Sequence, residues 1–138
     1  MGDEEKKVNN IRTRNEEGTL DAMALLWRGL CDKPKTVLKY ITKDAVLAEP
    51  DREVYSPKTE PTLKEYLEED YEPWTAYKIH DEPDFVEIDM MSSNVTYRVT
   101  AWRLEDGQMV ATEGMCSSTF RQGPGGDWKC CCHHMAEI

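Results

Sequence analysis

The period of the apolar residues changes once along this chain, and that change limits it to a small set of layered folds. Leu20, Met23, Leu26, Trp27 and Leu30 recur at three- and four-residue spacing, the stripe of an amphipathic helix with Thr19 as its N-cap and Asp32-Lys-Pro34 as its end. Val37, Leu38 and Ile41, with Tyr40 beside them, predict a shorter second helix, and Ala45-Val-Leu-Ala48 a buried strand closed by Glu49-Pro50. Residues 51–61 read as a loop or edge hairpin. Thr62 stands three residues before Glu65 in capping-box arrangement, so a third helix carrying Leu63, Tyr66, Leu67 and Tyr71 starts there and stops at Pro73. Beyond it the residues alternate. Phe85–Met90, Val95–Leu104, Met109–Phe120 and Trp128–Met135 predict four strands, and Asp106-Gly107 is the strongest hairpin signal between them.

Helices first and a meander after them make an α+β arrangement. Three N-terminal helices pack on one face of a curved antiparallel sheet, giving a cone with a pocket between helices and sheet. The 138 residues suffice for one core and are too few for two. The expected organisation is a single domain over residues 19–138, preceded over residues 1–18 by a polar tail or solvated helical extension.

Charge narrows the partners. With 17 Lys and Arg against 27 Asp and Glu the net charge is -10, which argues against nucleic acid and against anionic membranes. No apolar run approaches the ~20 residues of a membrane-spanning helix, and the start, Met-Gly-Asp-Glu-Glu-Lys-Lys, is too charged for a secretory signal. A cytoplasmic location is expected, and the five cysteines, an odd number without disulfide spacing, are expected to be reduced.

The run Trp128-Lys-Cys-Cys-Cys-His-His134 invites a metal reading, but strict strand alternation divides it. Cys130, Cys132 and His134 fall on one face, Cys131 and His133 on the other. Five ligands so divided cannot converge on one ion, and the Cys-x-x-Cys turns of a structural zinc site are absent, so no metal and no cofactor is expected. Cysteine here acts as a small apolar strand residue. Cys116, opposite the last strand, is the best placed of the five to meet an imidazole or a ligand. His80, in Tyr77-Lys-Ile-His-Asp81, is expected to be exposed near a turn.

The passage Tyr40-Ile-Thr-Lys-Asp-Ala-Val-Leu-Ala-Glu-Pro50, in which Asp-Ala opens a strand and an acid precedes a proline, resembles the nuclear-transport-factor-two-like superfamily. That group includes SnoaL-like cyclases, ketosteroid isomerases and the association (hub) domain of calcium/calmodulin-dependent kinase. The resemblance covers roughly Leu20 to Met135. It implies that Glu49 stands where the isomerases carry their general base, while Glu49-Pro50-Asp51 is closer to the hub. Tyr97-Arg-Val-Thr-Ala-Trp102 is also similar to the hub, which implies Arg98 in the internal pocket. The Gly-Gly-x-Trp128 turn followed six residues later by His134 resembles the superfamily's last strand, and implies that His134 has a pocket position. The isomerase oxyanion site has no counterpart. Its tyrosine falls at Leu25, and Glu113-Gly-Met-Cys-Ser-Ser118 has no carboxyl in register. A hydroxyl would have to come from Tyr55, Tyr66 or Tyr40.

Two functions follow. The first is a small-molecule-binding, self-associating domain, a homodimer or larger ring, with a polar pocket for a small hydrophobic or carboxylate ligand. Arg98 would take a carboxylate, and Tyr55, Tyr66, Trp74, Trp102 and Cys116 would line the cavity. The second is an isomerase, cyclase or dehydratase with Glu49 as general base and His134 as its partner. A desolvated, unpaired carboxyl gains basicity, whereas one paired with a guanidinium stays ionised and is a poor base.

Overall fold

A computed structural model describes residues 3–138 of the chain, with side chains from residue 11 onward. Helix α1 runs from Asp3 to Cys31 without a break at Thr19, so the residues expected to be a tail or extension continue the helix. Thr19 is not an N-cap. It is buried, and its hydroxyl lies 2.7 Å from Ser93 Oγ. The stripe Met23, Leu26, Trp27 and Leu30 is buried as its spacing predicts.

The second helix is a 3-10 turn, Pro34–Lys39. Between Pro34 and the strand that already begins at Ile41 there is room for little more. The third begins as expected with Thr62 capping α2 (Leu63–Glu65), its hydroxyl accepting from the Glu65 backbone N–H and the Glu65 carboxylate accepting from that of Thr62. It then widens into a π turn, Tyr66–Asp70, where Tyr71 N–H donates to Tyr66 C=O at 2.8 Å. The wider turn leaves both Tyr66 and Tyr71 buried.

The sheet has five strands, β1 (Ile41–Ala48), β2 (Ala76–Asp89), β3 (Ser92–Glu105), β4 (Gln108–Gln122) and β5 (Trp128–Glu137), in the order β1-β5-β4-β3-β2. β2 to β5 form the expected antiparallel part, and β1 adds a parallel pair on β5. β2 starts nine residues before the predicted Phe85, with Asp81 at φ 60° marking the irregularity between His80 and Asp84. His80 is accordingly half-buried within a strand. At Asp106-Gly107 both φ angles are positive, 48° and 79°, as the two-residue hairpin requires.

Alternation sorts the strands into two faces. Val95, Tyr97, Val99, Cys116, Ser118 and Phe120 point inward beneath α1. Arg98, Thr100, Trp102, Glu113 and Met115 have the opposite parity and occupy the outer face, as their pairings confirm: His80 with Arg98, Arg98 with Met115, Thr100 with Glu113. β5 departs from strict alternation. Phe120 pairs with Cys130 and Thr119 with Cys132, so Cys131 is an extra, bulged residue. Cys130, His133 and Met135 are therefore buried, while Cys132 is half-buried and His134 exposed. The expected grouping of Cys130, Cys132 and His134 on one face is thus corrected.

Candidate functional site

Glu49 follows directly on β1, buried at 6% exposure, and three donors meet its carboxylate. Tyr71 Oη–H and Trp74 Nε1–H donate to Oε2 at 3.0 and 2.9 Å, and Arg52 Nη1 donates to Oε1 at 3.2 Å. The turn after Pro50 makes the last contact possible. Asp51 takes φ 59°, a left-handed conformation that Asp tolerates, and the chain doubles back so that Arg52 faces the residue three before it.

Arg52 is the hub of the cluster. Its Nη1 also donates to Tyr66 Oη at 3.3 Å and its Nη2 to Glu72 C=O at 3.0 Å, while the guanidinium carbon lies 4.7 Å from the Tyr71 ring centroid. Burial works against its charge, but the Glu49 carboxylate and the surrounding tyrosines outweigh it and hold Arg52 above its ordinary value. Tyr71 is raised well above 10, first by burial and then by the adjacent Glu49 charge, so it remains a phenol that donates. Tyr55 stacks on Tyr66 at 3.6 Å between centroids, Tyr66 meets Tyr71 edge-on at 5.5 Å, and Arg103 covers Trp74 at 3.8 Å.

Of the residues proposed from sequence, the structure brings together Glu49, Tyr55, Tyr66 and Trp74. It does not bring the others to them. Arg98 is exposed on the outer face, Trp102 lies on that face, and His134 points outward because of the bulge at Cys131. Cys116 faces inward but is fully buried, and burial pushes its thiol up to about 12, the reverse of an activated nucleophile. Between helix and sheet, a void among Leu26, Leu47, Leu67 and His133 measures about 10 Å³. Among the described residues no three His, Cys, Asp or Glu side chains converge as a metal site would require, and no helix is long and apolar enough to cross a membrane.

No protein-family model matches the sequence, and neither does any curated protein. Solved structures do match. The candidate calcium/calmodulin dependent protein kinase II association domain of Xanthomonas campestris superposes with a TM-score of 0.71 at 17% identity, over 87% of this chain and 86% of that one. A candidate scytalone dehydratase from Novosphingobium aromaticivorans gives 0.76 at 13% identity, over 94% and 88%. A nuclear-transport-factor-two-like protein with a cystatin-like fold, also from Novosphingobium aromaticivorans, gives 0.74 at 12%, over 100% and 92%. The fold is nuclear-transport-factor-two-like. One such fold thus carries an association domain and a dehydratase, and at these identities the likeness extends to architecture alone.

Within this nuclear-transport-factor-two-like fold, sequence reasoning missed Arg52 and His133 as members of the interior and Tyr71 as a partner of Glu49. Arg52 had a signal, since it stands three residues after Glu49 across a Pro-Asp turn. Tyr71 lay at the margin of a helical stripe, and only the π turn sends it to Glu49. His133 was hidden by the bulge, which alternation alone cannot foresee.

Proposed function

We propose that this chain is a non-catalytic, self-associating module that pairs through the outer face of its sheet and carries its polar ligand-recognition cluster on the inner side, around Glu49 and Arg52. The observation that carries the proposal is the chemistry of the outer face. Lys78 and Arg98 place positive charge on either side of His80, beside Asp84 and Glu113 on the same face, and Met115 stands 38% exposed next to Arg98. Val86 and Leu104, 56% and 60% exposed, extend that face in apolar fashion toward opposite ends. A surface with both signs of charge around an apolar centre can meet a second copy of itself across a two-fold axis. The likeness to an association domain supports the same reading.

At the inner cluster Arg52, rather than Arg98, is the group with the fork to take a carboxylate ligand, with Tyr55 and Tyr66 as its flat wall. Such a ligand would replace Glu49 at Arg52. The enzyme reading has one observation in its favour, a buried carboxyl in contact with a phenol, Tyr71. Against it, both oxygens of Glu49 are already taken and one of them by a guanidinium. Glu49→Gln separates the two: loss of turnover of an isomerisation or dehydration substrate in a folded variant would restore the enzyme.

The association is tested by the molar mass in light scattering of the wild type and of Met115→Glu. A dimer or larger ring that falls to monomer in the variant is the expected result. A monomeric wild type, or an oligomer indifferent to the substitution, would overturn the assignment of this face.

A further inference from the structure

The three-cysteine run is a motif that the Glu49 cluster leaves unused, and the bulge in β5 gives two of its members a relation that plain alternation denies them. Cys130 pairs with the inward Phe120 and is buried, and His133 pairs with the inward Ser118. Cys132 pairs with Thr119, which has the opposite parity, and so faces the outer side. Between them Cys131 has no residue of β4 opposite it, and its Sγ–H donates to Thr119 C=O at 3.4 Å. Arg121, two residues along β4 on the outer side, lies beside the same sulfur. Consecutive cysteines are thus both brought to Thr119, one onto its carbonyl and one directly across from it, because a bulge re-aims the side chain it inserts.

Both thiols are free and half-buried. Among the described residues no third His, Cys, Asp or Glu side chain joins them in a cluster able to hold a metal, His134 on the same side included. The expectation that this run takes no metal counted five ligands divided strictly between two faces. The bulge replaces that count with two thiols on one face.

We propose that Cys131 and Cys132 form a two-coordinate thiolate site for a soft monovalent cation, copper(I), on the outer side of the β5 bulge. Zinc would be left two ligands short of its closed tetrahedron. Thiolates favour copper(I), and a closed-shell ion of single charge is satisfied by two soft ligands in line. On binding, two S–H bonds break, two S–Cu bonds form and two protons leave to solvent. Copper keeps its oxidation state, so no oxidant or reductant is consumed. Burial raises the Cys131 thiol and the Arg121 guanidinium offsets part of that rise, so binding competes with protons and weakens as pH falls. The site is separate from the Glu49 cluster, none of whose donors comes from β5.

The test titrates the reduced full chain, without oxygen, with copper(I) held by the coloured chelator bicinchoninate, and follows transfer by the loss of colour. One ion per chain is expected, with two sulfur neighbours in X-ray absorption. Cys131→Ser and Cys132→Ser should each weaken binding by roughly a hundredfold or more, beyond what loss of a merely supporting group costs. Cys130→Ser, on the inner face, should leave the affinity unchanged. No transfer, a third sulfur neighbour, or an equal loss in Cys130→Ser would overturn the proposal. If that core variant does not fold, the wild type decides alone. Copper(I) is expected to protect Cys131 and Cys132 from iodoacetamide, read by mass spectrometry, and to leave Cys31, which is also half-buried, open to it. Protection that extends to Cys31, or that leaves Cys131 or Cys132 open, would overturn it as well.

Discussion

Arg52, Tyr71 and Trp74 all reach Glu49 from the segment that joins β1 to β2, so one carboxylate ties that segment to the sheet. Removing it strands a phenol, an indole and a guanidinium at once. Glu49→Ala should cost about 3 kcal/mol, at the low end for a broken buried pair because Arg52 retains some access to water. Glu49→Gln should cost less, since its amide oxygen can still accept from Tyr71 and Trp74. Urea denaturation of the three proteins checks the order, and a loss below about 1 kcal/mol for the alanine variant would show that the carboxylate ties nothing down. His133 sets a second expectation, in pH. Its ordinary value is 6.5 and burial lowers it to about 4 in the folded chain, so the unfolded chain binds the extra proton first. Its contribution is fully present above pH 6.5 and is lost as pH falls toward 4, by about 3 kcal/mol in all. His133→Asn should flatten the stability profile over that window, and an unchanged slope would place the titration elsewhere.

The elements show where a sequence speaks and where it falls silent. The stripe of α1, the Thr62 capping box and the Asp106-Gly107 hairpin are local chemistry, and each was legible because the determining residues lie within a few positions of one another. The inward and outward faces of β5 were not. They depend on how many residues β4 offers opposite the cysteine run, and Cys131 is one more than Thr119 and Phe120 can pair. A one-residue error of that kind inverts every later side chain, which is why His134 was expected inside and His133 was overlooked. Arg98 failed for a similar reason, since the resemblance that placed it in the pocket could not distinguish it from Tyr97, the inward neighbour. The bulge makes its own test. Deleting one of the three cysteines leaves Lys-Cys-Cys-His-His, in which plain alternation keeps one cysteine, His133 and Met135 inward. That variant should fold, within about 2 kcal/mol of the wild type by urea denaturation. Inserting a fourth cysteine keeps the parity only by carrying His133 and Met135 two places along β4, from Ser118 and Cys116 to Cys116 and Gly114, and should collapse the native far-UV signal or cost far more. Equal tolerance of the two changes would show that the β5 register is not held by its inner face.

At the scale of the whole molecule, the proposed pairing must work against the chain's own charge. Each copy carries -10, and two copies stacked by their sheets have centres about 30 Å apart, twice the radius of gyration expected at this length. Coulomb repulsion between such charges is about 14 kcal/mol in pure water, falling to about 6 at 0.01 M salt and to between 1 and 2 at 0.15 M, as the Debye length contracts from about 30 to about 8 Å. The attraction of Lys78 and Arg98 for Asp84 and Glu113 acts over much shorter range, and exposed ion pairs contribute only about 0–1 kcal/mol each. Screening therefore relieves more repulsion than it removes attraction. Self-association should tighten at least tenfold between 0.01 and 0.15 M sodium chloride, the opposite of an interface governed by its salt bridges, and sedimentation across that range measures it. A dissociation constant that rises with salt would mean that local ion pairs outweigh net charge, and would move the interface away from the apolar outer face around Met115.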